Sequence, residues 1–157
     1  MTDEFPHLTP AGDVHMVDVG DKPETERVAV AEGVVSMSAG VADRLFSGEL
    51  PKGDALASVR LAAIMGAKRT PDLVPLCHPI SLTGIDVIVD RDPIGARIEV
   101  TARTVGRTGV EMEAMTAVAA GALALYDMVK GVERGVTIES VRLLEKSGGR
   151  SGTWRRT

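Results

Sequence analysis

The sequence has a single cysteine, few aromatic residues and no excess of positive charge. One cysteine, Cys77, excludes an internal disulfide and any zinc site built from several thiolates. Aromatic residues make up 3% of the chain, which nearly removes the stacking platforms that hold single-stranded nucleic acid. The net charge is −4, whereas a protein whose main partner is a phosphate backbone presents a basic face. The longest uncharged apolar stretch, Ala114 to Tyr126, is too short to cross a bilayer. "MTDEFPHLTPAGD" places acids and a proline where a secretory leader has a charged start and an apolar run. "GRTGVE" lacks the GK[ST] ending of a phosphate-binding Walker loop, which excludes a P-loop NTPase. These absences lead us to expect a cytoplasmic protein with neither a membrane nor a nucleic acid as partner.

With 157 residues, 44% of them hydrophobic, the chain suits one compact domain over 1–157. No repeat or linker divides it. Residues 1–26 read as a polar arm and 147–157 as a glycine-rich basic tail. "RVAVAEGVVSM" (27–37) is valine-rich and reads as a strand. "SAGVADRLFSGELP" predicts a short helix stopped by Gly48 and Pro51. "KGDALASVRLAAIMGAKR" predicts a longer one with Asp54 as its N-cap. Pro71 and Pro75 prevent its continuation. "SLTGIDVIVDRD" and "GARIEVTARTV" form a hairpin around Asp92-Pro93-Ile94-Gly95. A long helix follows over roughly 110–134, then a last strand, "VTIESVRLLEK". The order strand, helix, strand, strand, helix, strand predicts an α+β, ferredoxin-like split βαβ fold, an antiparallel sheet with both helices on one face.

The chemistry-bearing residues fall at a few points. In "GVEMEAMTAVAAGALALYDMVKG", charges stand only at the two ends. Glu111 and Glu113 in a first turn complement the helix dipole, and that ordinary role explains them. Asp127 is harder to explain that way, because an anion is disfavoured late in a helix. Asp127 and Lys130 are spaced to pair on one face. Glu113 and Asp127 are about 21 Å apart along the axis and within roughly 40° around it. They share a face but cannot share a small site within one chain, so a site between subunits is expected. In "PDLVPLCHPISLTG", Cys77 and His78 are neighbours and point differently in an extended loop. His78 therefore reads as a proton donor or hydrogen-bonding group held between Pro75 and Pro79, and Cys77 as a packed neighbour. His7 and His15 default to surface positions. Lys52, Arg27, Lys68, Arg69, Arg107 and the "EKSGGRSG" segment are cationic points. The last reads equally as an anion-wrapping loop or a flexible tail.

With those residues in view, the sequence resembles the MoaC family, the cyclic pyranopterin monophosphate synthases of molybdenum cofactor biosynthesis. The stretches that carry the resemblance are "HMVDVGDKPET", "KGD", "AKRTPDLVPLCHP", "GRTGVEMEAMTA", "YDMVKG" and "VRLLEKSGG", in order, and they cover nearly the whole chain from His15 to Gly152. The resemblance implies conversion of (8S)-3′,8-cyclo-7,8-dihydroguanosine 5′-triphosphate to cyclic pyranopterin monophosphate and diphosphate. It also implies a hexamer, a trimer of dimers, with pockets at a subunit interface. Carried over by motif, Asp127, Lys130 and Lys52 match the principal catalytic positions. Leu76, Cys77, His78, Met112 and Glu113 match substrate contacts, and His78 is a further acid–base candidate. Glu111, Arg27, Lys68 and Lys146 are implied pocket residues. No cofactor is implied, and Mg²⁺ on the triphosphate is possible without being required.

Three other readings compete. A nucleotide sensor on the same fold binds without forming product. An RNA-binding module needs aromatics on its central strands, where this chain has none. A metal-dependent phosphohydrolase is inhibited by a chelator.

Overall fold

In the computed structural model, which describes residues 7–157, the elements run β1 (Thr25–Ser36), α1 (Ala39–Ser47), α2 (Ala55–Lys68), α3 (Thr70–Leu73), β2 (Leu82–Asp92), β3 (Gly95–Gly106), α4 (Glu111–Val129), β4 (Thr137–Ser147) and β5 (Trp154–Arg155). The strands form one antiparallel sheet in the order β2-β3-β1-β4-β5. Its first four strands have the split βαβ order, as the element sequence predicts.

Alternation decides which face is buried. On β3, Ala96, Ile98, Val100 and Ala102 are fully buried, while Arg97, Glu99, Thr101 and Arg103 point the other way. The apolar side meets α4, whose Val118 lies over Gly33 of β1 so closely that a Cβ there would be 2.6 Å from Val118 Cγ1. The opposite face carries charge. Glu32, only 7% exposed, accepts from Arg142 and Arg97, and Arg97 also pairs with Glu99.

Helices α2 and α4 pack against each other through small residues. A Cβ on Gly66 would sit 2.5 Å from the Ala120 Cβ, and Gly121 faces Val59 and Ala63. The pairing of 59–66 with 121–116 makes the two helices antiparallel, so the start of α2 meets the end of α4. At 19 residues and apolar, α4 has the length and composition of a membrane span. Its Ala114, Ala117, Val118, Ala122 and Leu125 are nevertheless fully buried against the sheet and α2, as in a core helix.

Local differences from the expectations have physical causes. Asp54 caps α2, its carboxylate accepting from Ala57 N–H at 2.9 Å, as predicted. Pro71 does not merely end α2. It stands in the first turn of α3, where a missing N–H costs nothing. Helix α4 closes at Val129, short of Arg134, because Gly131 starts a turn and the Glu133 carboxylate binds the Ser38 backbone N–H and hydroxyl instead. The tail is not featureless: it ends in β5, paired on the outer edge of β4. Among its described residues the arm has no helix or strand before Thr25, but Leu8 and Val14 bridge around a turn. Its first six residues lie outside the described part.

Candidate active site

The sequence-predicted residues gather at the two ends of α4. At its C-terminal end, the Asp127 carboxylate lies between two ammonium groups. Lys52, from the loop before α2, donates to Asp127 Oδ2 at 2.8 Å and to the Asp127 carbonyl at 2.7 Å. Lys130, one turn on, pairs with Oδ1 at 2.7 Å. The antiparallel α2–α4 contact brings Lys52 there, since nothing in its local sequence points to Asp127. All three side chains are about half exposed. Hydrogen bonds from Lys130 and then Lys52 lower the Asp127 pKa to about 2, and Asp127 in turn raises that of Lys130.

The N-terminal end is built differently. Glu113 is 3% exposed, and among the described residues it has no ion pair. Burial pushes its pKa up to about 7, with a smaller push from the Glu111 charge, partly offset by a hydrogen bond from its own backbone N–H. First-turn dipole complementation therefore does not account for Glu113. A helix N-terminus favours the ionised carboxylate, yet here desolvation outweighs that preference. Burial, and secondarily Glu113, raises the Cys77 pKa, which keeps this thiol protonated and a poor nucleophile.

Two adjoining cavities open at this end. The smaller, about 310 Å³, is lined by Leu76, Cys77, His78, Met112 and Glu113, with Val17, Val19 and Lys22 of the arm. His7, exposed as its place in the arm led us to expect, also lines it. The larger, about 660 Å³, is cationic. Arg27, Lys146, Lys22, Arg107 and Arg150 surround it, beside the backbone of Gly148 and Gly149. Glu111, Lys22, Thr108 and Gly109 border both. Glu111 lies 3.6 Å from Lys146 Nζ. Its carboxylate also sits where a Cβ on Gly109 would be, 1.8 Å from Oε2, so "GRTG" needs its second glycine for Glu111 to reach the partition.

Arg27 is largely committed to structure. Its Nε donates to the Gly106 carbonyl and its Nη2 to the Arg107 carbonyl, which leaves Nη1 against Gly149. Lys68 is exposed at the end of α2 and lines neither cavity. Lys22 and Arg150 were missed as individual candidates. Lys22 stands in the "DVGDKPET" stretch, and Arg150 in the glycine-rich segment whose anion-binding potential composition had suggested.

Two chemistries are thus available: a solvent-facing carboxylate with two proton-bearing amines, and a dry carboxyl that exchanges its proton near neutral pH beside a cationic chamber. Comparison with known proteins gives this arrangement a context. The model of the MoaC family matches residues 16–149. A cyclic pyranopterin monophosphate synthase of Corynebacterium efficiens is 54% identical over 151 residues, 96% of this chain and 97% of that protein. Another from Thermomicrobium roseum is 54% identical over 98% of this chain and 93% of that protein. A third, cyclic pyranopterin monophosphate synthase 2 of Mycobacterium tuberculosis (strain ATCC 25618 / H37Rv), is 52% identical over 98% of this chain and 92% of that protein.

Proposed function

The chain belongs to the MoaC family, and from that membership we infer that it is a lyase forming cyclic pyranopterin monophosphate in molybdenum cofactor biosynthesis. The near full-length identity to proteins of that name carries the inference. Its substrate on this reading is the 3′,8-cyclised dihydro-GTP, and diphosphate leaves.

The geometry supports a division of labour. The cationic chamber takes the triphosphate, with Lys146 and the free edge of Arg27 stabilising the charge that builds as diphosphate departs. The smaller cavity takes the ring system, with Leu76 and Met112 against its faces and His78 and Glu113 at its polar edge. Glu113, with a pKa of about 7, is able both to donate and to accept a proton there. Lys52 and Lys130 supply protons, and Asp127 accepts one once the substrate draws a lysine away. The two groups stand about 21 Å apart along α4. A complete site therefore combines one copy's Asp127, Lys52 and Lys130 with the other end of α4 from a second copy. On this reading the assembly is a hexamer, a trimer of dimers, and it works in the cytoplasm with no resident cofactor. Mg²⁺ enters only as a counter-ion of the triphosphate.

The test is incubation with freshly made cyclised substrate and assay for pyranopterin and diphosphate. Equimolar appearance of both is expected. Binding without product would support a sensor instead, and loss of turnover in a strong chelator would support metal-dependent hydrolysis.

A further inference from the structure

Beyond Gly149, where the match to the family model ends, the chain does something specific. It reverses at Gly148 and Gly149, both with positive φ (96° and 71°). Neither position has room for a side chain: a Cβ would be 2.1 Å from the Glu26 carbonyl oxygen at Gly148 and 2.1 Å from Arg27 Nη1 at Gly149. The turn is thereby pressed onto the floor of the cationic chamber. The chain then returns along β4, with Trp154 opposite Lys146 and Arg155 opposite Glu145. Arg156 fastens the far end, its backbone N–H donating to the Leu144 carbonyl at 2.8 Å and its Nε to the Leu143 carbonyl at 2.7 Å. Arg155 pairs with Glu145 at 3.1 Å. Between these two anchors, Lys146 Nζ donates to Ser151 Oγ at 2.6 Å.

We propose that residues 151–156 are a strap that positions Lys146, with Ser151 as the positioning residue. A lysine ammonium on a four-carbon stem is mobile, and an incoming anion must otherwise order it. Besides Glu111, 3.6 Å away, a hydroxyl in the turn that Gly152 N–H closes onto the Gly149 carbonyl lowers that cost beforehand and holds the ammonium at the chamber wall. The inference rests on the proposed role of Lys146 as a triphosphate contact.

The experiment measures, on the full chain, kcat and KM for the cyclised nucleotide and the calorimetric Kd of inorganic diphosphate. Ser151→Ala is expected to raise KM and Kd about fivefold, the scale of one ordinary hydrogen bond net of its exchange with water, while kcat stays within about twofold. Ser151→Thr keeps the hydroxyl and restores both constants. Arg156→Ala loosens the strap without entering the chamber. It should red-shift the emission of Trp154, the chain's one tryptophan, and raise Kd in parallel. Unchanged constants in Ser151→Ala, equal losses in the Ala and Thr variants, or a red shift in Arg156→Ala without a change in Kd would each overturn the strap. Lys146→Ala separates the two levels. If it raises Kd while Ser151→Ala does not, only the strap fails. If it leaves Kd unchanged, the triphosphate assignment of Lys146 fails, and the strap with it.

Discussion

The two ends of α4 hold carboxylates under opposite conditions. Asp127 is open to water and gripped by two lysines, which hold its pKa down near 2. Glu113 is buried, and loss of water, with a smaller push from the Glu111 charge, holds its pKa up near 7. One helix thus carries a carboxylate that rests charged for as long as its lysines stay paired to it and one poised to exchange a proton, so the same functional group is prepared for different acid–base behaviour. The difference arises from solvent and neighbours alone, since both are simple carboxylic acids.

The sharpest way to break the comparison is to remove the charged end. Lys52→Ala and Asp127→Ala are each expected to lower turnover of the cyclised substrate by about 10²- to 10⁴-fold, the usual contribution of a positioned acid or base. Steady-state assay of purified variants checks this, and full activity in both would remove the trio from the chemistry. Mixing subunits then asks whether the two ends cooperate across an interface. Random reassembly of equal amounts of Asp127→Ala and Glu113→Ala chains, each inactive alone, should recover about a quarter of the sites, because half the dimers are mixed and each of those carries one intact site. No recovery would mean that the two ends serve separate sites or one chain.

The buried end is tested by stability against pH. Glu113 holds its proton up to about pH 7 in the fold but only to about 4.5 when unfolded. Between those values the native state binds the extra proton, so the contribution is complete below about pH 4.5 and is lost as pH rises through 7. The span corresponds to roughly 3 kcal/mol. Glu113→Gln removes the slope and should make the protein more stable than the parent at pH 8, by urea denaturation, and no more stable at pH 4. Its turnover should nonetheless fall, since an amide cannot exchange the proton. Asp127 has the opposite sign: its contribution is present above its ordinary value of 3.8 and disappears as pH falls toward 2. The smallest expected effect is that of Gly109→Ala. The new methyl group displaces the Glu111 carboxylate, and KM should rise severalfold, on the scale of one weakened charged contact.

Much of this was readable in advance. Valine-rich alternation located the strands, Asp54 marked the start of α2, and Asp92-Pro93-Ile94-Gly95 marked the hairpin, because each is a local rule acting over a few residues. The 14-residue interval between Glu113 and Asp127 already implied separation along one helix. The i, i+3 spacing of Asp127 and Lys130 likewise implied their pair. Other features were out of reach. Trp154 and Arg155 do not look like a strand, and they become one only because the edge of β4 offers unpaired backbone groups. Arg27 looked like a free cation, but β1 lies beside the end of β3, so two carbonyls occupy most of its guanidinium. Lys22 lay in a polar arm with no periodicity to mark it.

By itself the order of residues determined the element types and the ends of α4 at which its charges stand, since these follow from chain geometry and local hydrogen bonding. Only the tertiary structure decided that Lys52 reaches Asp127, that Glu113 is dry rather than solvated, and that the tail returns to Lys146. Each of those depends on which distant segments exclude water from, or lend a partner to, a given group, and that is set by packing between elements far apart in the chain.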